Sequence, residues 1–173
     1  MTSVFSMIID CTLPGRFVYK DDQVVAFLSI EPLKPGHTLV VPRQEVDKWT
    51  ELPSDVWAHV SEVSQLLGKA VCRAWDAPRA GNIIAGFDVP HTHVHIFPAW
   101  EMSDYDFSKA AHDVPDAEMD DAAEKLRNDV SDLGVNWRDC SKLSLSSLST
   151  ARGKVTTNCV PAPGLLATVT VPR

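Results

Sequence analysis

Three histidines alternate along one short stretch, His91-Thr92-His93-Val94-His95, and a fourth, His37, heads an apolar run earlier in the chain. In an extended strand, alternate side chains share a face, with about 6.6 Å between every second Cα atom. His91, His93 and His95 would then stand in a row, while Thr92, Val94 and Ile96 turn into packing on the other side. Imidazole is a poor filler for one face of a strand.

Three chemistries compete for such a row. One is a polar strand face whose histidines make ordinary hydrogen bonds. A second is a metal site, since imidazole is the commonest transition-metal ligand and a His-x-His pair on a strand can hold zinc. No cysteine pair lies nearby, and Asp88 is the one evident carboxylate for a third ligand. The third is covalent catalysis at phosphorus. A neutral imidazole is a competent nucleophile near pH 7, and its neighbours, as imidazolium groups, would hold the phosphate oxygens.

The elements that must position these residues can be read from periodicity. Val4 to Ile9 forms a short helix or an apolar cap. Arg16–Tyr19 and Val24–Leu28 flank a polar turn and predict a hairpin. His37 to Val41 reads as a strand stopped by Pro42. From Pro53 a long helix begins, and Val56, Val60, Val63, Leu67, Val71 and Trp75 recur along one face. Pro78 to Gly81 breaks the chain, and Asn82–Ala85 and His91–Phe97 read as strands joined by a short connection, Gly86 to Pro90. A charged, solvent-facing helix is expected over about Asp116 to Leu133. Beyond Val135 the pattern fades into a Ser-rich stretch, Ser141 to Thr150, and a proline-bearing end in which Leu165 to Val171 could add an edge strand.

Composition narrows the partners. A chain of 173 residues with 45% hydrophobic and 23% charged side chains has the make-up of a globular domain. The net charge of −7 argues against nonspecific nucleic-acid binding, which wants a basic surface. No run approaches the roughly 20 apolar residues needed to cross a bilayer. Cys11, Cys72, Cys140 and Cys159 form no Cys-x-x-Cys pair. Read as unpaired thiols without an export signal, they predict a cytoplasmic protein.

The run Pro90-His91-Thr92-His93-Val94-His95-Ile96-Phe97-Pro98 resembles the signature of the histidine triad (HIT) superfamily. Gly36-His37-Thr38-Leu39-Val40-Val41-Pro42-Arg43 and the opening Val4-Phe5-Ser6-Met7-Ile8-Ile9 resemble two further blocks of the same family, in its order. The resemblance covers roughly residues 3 to 100 and is nearest to small actinobacterial HIT proteins of the histidine triad nucleotide-binding branch. It implies an α+β fold: an antiparallel sheet of about five strands with one long and one shorter helix. The HIT domain would span residues 1–135, followed by a weakly structured tail, 136–173. The resemblance also implies a homodimer that binds a purine nucleotide or nucleotide conjugate, with no cofactor and no metal required.

By the same resemblance His93 is the nucleophile, His95 contacts the phosphate or leaving group, His91 supports the nucleophile, and His37 sits near the α-phosphate. The implied slot for base and sugar is lined by Val4, Phe5, Ile8, Phe27, Leu28, Ile30 and Leu39, with Ser29 and Asp88 at its polar positions. The chain departs from the family in places. Ser3 and Ser6 stand where many relatives carry Cys-x-x-Cys, so a structural zinc is not expected there. Ser29 stands where many carry an Asp that grips the ribose. Phe87 replaces a Gln, and Asp88 replaces a hydroxyl residue; its carboxylate would repel a phosphate or else orient a histidine.

Overall fold

The computed structural model describes residues 2–134. The serine-rich stretch, the possible strand over Leu165 to Val171, and the rest of the tail expected over 136–173 lie outside them.

Five strands form one antiparallel sheet: β1 (Phe17–Lys20), β2 (Val24–Leu28), β3 (Thr38–Pro42), β4 (Arg79–Ile83) and β5 (Val94–Ala99), in the spatial order β1-β2-β3-β5-β4. With the helices α1 (Val4–Ile9), α2 (Ser54–Trp75) and α3 (Asp116–Asp132) this is the expected α+β arrangement. Strand alternation gives the sheet two different faces. Val24, Ala26 and Leu28 of β2, Val40 of β3, and Val94 and Ile96 of β5 face α2 and α3 in the main core. Val25, Phe27, Leu39 and Val41 face the other way and pack with Phe17 and with Phe5 of α1.

The helices cover one side because their apolar positions recur at helical spacing. Val60, Val63, Leu67 and Val71 of α2 are all buried, and Asp76 ends the helix in the left-handed region at φ 50°. α3 is not the solvent-facing helix expected. Met119, Ala122, Ala123, Leu126 and Val130 form a buried stripe, masked in the sequence by the acidic residues between them. Arg16 pairs with Asp116 and Asp120 and so ties the start of α3 to the hairpin.

Two glycines show how closely the layers approach. Gly36 has φ +85°, and a Cβ there would sit 2.3 Å from the Trp75 ring. This lets the chain turn under the end of α2 directly into His37. Gly81 was expected within a chain break, yet it is the centre of β4, because the Phe97 ring of β5 lies over it and a Cβ would come within 2.3 Å. β4 therefore starts at Arg79, three residues earlier than its hydrophobicity suggests. Pro42 ends β3, as expected, and is itself the last residue of the strand, paired with Val24. Cys11 is disulfide-bonded, against the reading of unpaired thiols; it lies exposed on the turn after α1 with φ 59°. Cys72 is free. No helix among the described residues is long and apolar enough to cross a membrane.

Candidate active site

β5 begins at Val94, so only His95 of the three alternating histidines lies on a ladder, opposite Leu39. The β3–β5 pairing ends at Val40 and Val94, and the segment before it is held by other means. The Thr92 amide donates to Val46 O at 2.7 Å and its hydroxyl to Asp47 O at 3.2 Å. Thr92 is thus buried and fastened to the loop after β3. The row nonetheless forms. His93 and His95 have ring centroids 4.9 Å apart, and His95 lies 5.2 Å from His37.

All four rings are buried: His91 is 0% exposed, His37 2%, His93 5% and His95 9%. Burial penalises the charged imidazolium and lowers all four pKa values. His37 falls to about 3 and His95 to about 4, each driven first by burial and then by neighbouring histidines. The expected imidazolium donors are therefore neutral imidazoles, because the row has too little contact with water to hold several positive charges together.

Neutral rings allow the proton positions to be assigned from the hydrogen bonds. The Leu33 amide donates to Nδ1 of His37 at 3.1 Å, so the His37 proton sits on Nε2. That nitrogen lies 3.0 Å from Nδ1 of His95 and donates to it. The His95 proton is left on Nε2. Similarly, Nε2 of His91 donates to Pro42 O at 2.8 Å, and Nδ1 accepts from the Ser3 hydroxyl at 2.8 Å. Nδ1 of His93 donates to His91 O at 2.8 Å, which leaves Nε2 of His93 with its lone pair unprotonated.

Around this row the other expected site residues separate. Phe5, Phe27 and Leu39 share one apolar cluster, with Ile8 and Val89 packed against it. Phe5 meets His93 edge-on at 4.8 Å between centroids. Leu28 faces α2, because it shares strand parity with Ala26 and not with Phe27, so it does not line this cluster. Ile30 is 79% exposed on the loop after β2, and Val4 is at the exposed side of α1. The Ser29 hydroxyl donates to Glu31 O at 3.1 Å. His37 is 2% exposed and joins the row through Nε2, 3.0 Å from Nδ1 of His95. Asp88 is exposed, and its charge acts on His93 in the direction that favours the protonated ring.

Other neighbours of the row were not legible beforehand. Phe107, in the 3-10 turn Phe107–Lys109, packs against His95 at 5.0 Å between centroids. Glu45 reaches the start of α1 from an exposed loop, and nothing in its sequence setting marks it. Ser3 had a readable signal: a serine just before an apolar run is a helix N-cap, and its hydroxyl accepts from the Ser6 amide at 3.1 Å. Among the described residues, no group of three or more His, Cys, Asp or Glu side chains is placed to hold a metal ion.

A short strand, a glycine-led turn and a buried histidine row on one face of a five-stranded sheet define a histidine triad domain. The HIT domain sequence model matches residues 12–102, and the chain belongs to that family. An uncharacterized HIT-like protein of Methanocaldococcus jannaschii is 34% identical over 102 residues, covering 57% of this chain and 79% of the relative. The asymmetrical bis(5'-nucleosyl)-tetraphosphatase of Schizosaccharomyces pombe is 35% identical over 89 residues, covering 49% of each chain. Among solved structures, a hypothetical histidine triad nucleotide-binding protein from Sulfolobus tokodaii superposes with a TM-score of 0.67 at 28% identity, covering 75% of this chain and 92% of that one. Nucleotide hydrolases are thus found among the relatives in this family.

Proposed function

We propose that this protein is a nucleotidyl hydrolase or transferase that acts on the α-phosphate of nucleoside phosphoramidates, phosphate esters or anhydrides, with His93 as nucleophile. The observation that carries this reading is the His93 hydrogen bond: Nδ1–H is committed to His91 O, and Nε2 presents a lone pair. In the first step Nε2 bonds to phosphorus and the bond from phosphorus to the leaving group breaks. The leaving group departs with the electron pair, and a leaving amine takes a proton from solvent. The His93 ring becomes cationic, stabilised by His91 O and by the charge of Asp88. Water then attacks phosphorus, the phosphorus–Nε2 bond breaks, and the lone pair returns to His93 as a proton is released.

In this reading the Nε2–H of His95 donates to a phosphate oxygen or the leaving group, and His37 holds that tautomer from behind. His91 fixes the nucleophile through its carbonyl. The apolar cluster of Phe5, Ile8, Phe27 and Leu39 takes the base and sugar of a purine nucleotide or nucleotide conjugate, as expected of the histidine triad nucleotide-binding branch. Positioning and fixed donors supply the catalysis. His93→Ala should lower turnover of an adenosine phosphoramidate by roughly 10³-fold or more while AMP still binds. Turnover at the wild-type rate in that variant would remove His93 as the nucleophile.

A second reading is a nucleotide-binding protein with little catalysis. It is favoured by Ser29, whose hydroxyl is turned to Glu31 O where a ribose-gripping carboxylate would otherwise stand. AMP binding without turnover of any phosphoramidate, ester or anhydride tried would select it. We also propose a homodimer in the cytoplasm. Among the described residues β4 is an edge strand of the sheet, which supports self-pairing, since an edge invites another strand; a monomer mass by light scattering would refute the dimer, and fractionation of the cells reads the location.

A further inference from the structure

A polar network joins the start of α1 to the far side of the histidine row. One carboxylate oxygen of Glu45 accepts from the Ser3 amide at 3.1 Å and also from the Ser6 hydroxyl. The Ser3 hydroxyl accepts from the Ser6 amide and donates to Nδ1 of His91. The same His91 donates through Nε2 to Pro42 O, so its ring is held at both nitrogens. Its carbonyl holds Nδ1 of His93. Ser3 and His91 are 88 positions apart in sequence, and both are buried. α1 carries Phe5, which lies against the His93 ring, and Ile8, which packs on the slot.

We infer that Ser3 and Glu45 are positioning residues for the nucleophile: they lock α1 onto His91, and His91 in turn fixes the tautomer of His93. This rests on the reading of His93 as nucleophile for its catalytic consequence, but not for its structural one. The hydroxyl of Ser3 has two jobs. It caps the helix, and it satisfies a buried imidazole nitrogen. Without it, the His91 ring loses its hydroxyl partner at Nδ1 and is held by the Pro42 bond and the neighbouring Gln44 backbone, so the carbonyl that holds His93 is less constrained. α1 would also lose its anchor at the end nearest Phe5. Glu45 acts one step further back, by holding the Ser3 backbone and the Ser6 hydroxyl in place.

The test uses the full chain and two readouts. Imidazole nitrogen–proton correlation spectra report which nitrogen of each histidine carries the proton, with no substrate present. Steady-state kinetics on an adenosine phosphoramidate report kcat and KM. The wild type should show His93 as a single Nδ1–H tautomer. In Ser3→Ala the His93 signals should become a mixture of tautomers, with kcat down about tenfold because a slightly misplaced nucleophile is costly. Ser3→Thr keeps the hydroxyl and should restore most of the rate and the single tautomer. Glu45→Ala changes an exposed side chain, so it keeps the test available should Ser3→Ala fail to fold. It should show a smaller loss of kcat and a rise in KM as α1 loosens. A pure Nδ1–H tautomer in the folded variants, or a kcat within twofold of wild type, would overturn the inference. If His93→Ala keeps full turnover, the catalytic reading fails, and the tautomer spectra still decide the positioning role.

Discussion

His95 and His59 occupy the two layers of this domain, and their surroundings push the same side chain in opposite directions. His95 sits in the buried row on the face away from α2, with a neutral histidine as its polar partner. Burial and His93 lower its pKa to about 4. His59 lies on α2, partly exposed, with Nε2 2.6 Å from Asp21 and Nδ1 3.5 Å from Glu62. Burial alone would lower its pKa too, but the hydrogen bonds and charges of Asp21 and Glu62 raise it overall. Around Asp21 the hydroxyl of Tyr19 and the amides of Gln23 and Val24 complete the cluster. The cluster fastens the β1–β2 turn to a helix through the His59–Asp21 contact, an ion pair when His59 is protonated. The row is a relay of neutral donors and acceptors that leaves one lone pair open. Whether a histidine here carries charge or presents a nucleophile is decided by the partner it is given.

The largest effect should come from removing the partner that defines the row. His37→Ala leaves the Leu33 amide and Nδ1 of His95 without their hydrogen bonds, each worth ~1–3 kcal/mol when buried. Urea unfolding should show a loss of ~2–4 kcal/mol. The kcat should also fall, because His95 can then take either tautomer. Unchanged stability and rate in that variant would break the contrast between the two regions.

Next in size is the response to acid. The unfolded chain protonates its histidines near 6.5, while folded His95 and His37 stay neutral down to about 4 and about 3. Between those limits the unfolded state binds more protons, so stability falls as pH falls. The slope should be on the order of 1.4 kcal/mol per pH unit for each such histidine. His59 has the reverse sign. Its folded pKa is raised, so its contribution is present below about 6.5 and is lost as pH rises through the folded value. His59→Gln should cost under ~1 kcal/mol at pH 6 and less at pH 8, as befits a partly exposed pair. Urea titrations at several pH values check both; a stability that stays flat from pH 7 to pH 5 would contradict the neutral row.

Asp88 sharpens the comparison, since its charge acts on the proposed nucleophile. Its charge favours the cationic form of His93. Asp88→Asn should therefore move the acidic limb of the kcat/KM profile to lower pH, because the neutral nucleophile persists further. At the same time it should lower kcat by roughly three- to tenfold, since the cation formed on attack loses a counter-charge. A faster enzyme with an unmoved acidic limb would assign Asp88 to phosphate repulsion instead.

Strands made of a continuous apolar run were legible to within a residue or two, as with β2, where every position is buried. So was α2, whose stripe recurs over six turns. What escaped was decided by contacts distant in sequence. Gly81 reads as a breaker until the Phe97 ring is placed over it. The buried side of α3 is hidden by the acidic residues that share its turns. The histidine spacing announced a row, and the family likeness named its members. The strand itself begins only at Val94, because loop contacts to Val46 and Asp47 replace the ladder before it. Charge state was the least legible property. It depends on burial and on which partner sits at each ring nitrogen, and neither is written in His-x-His-x-His.

The central claim is that Nε2 of His93 forms a bond to phosphorus. The most direct measurement is mass spectrometry of the protein quenched in the first turnovers of an adenosine phosphoramidate, with the modified residue located by fragmentation. The structure predicts an added adenylyl group on His93, absent from His93→Ala. Product formed at the normal rate with no adduct on His93, or with the adduct on another residue, would contradict it.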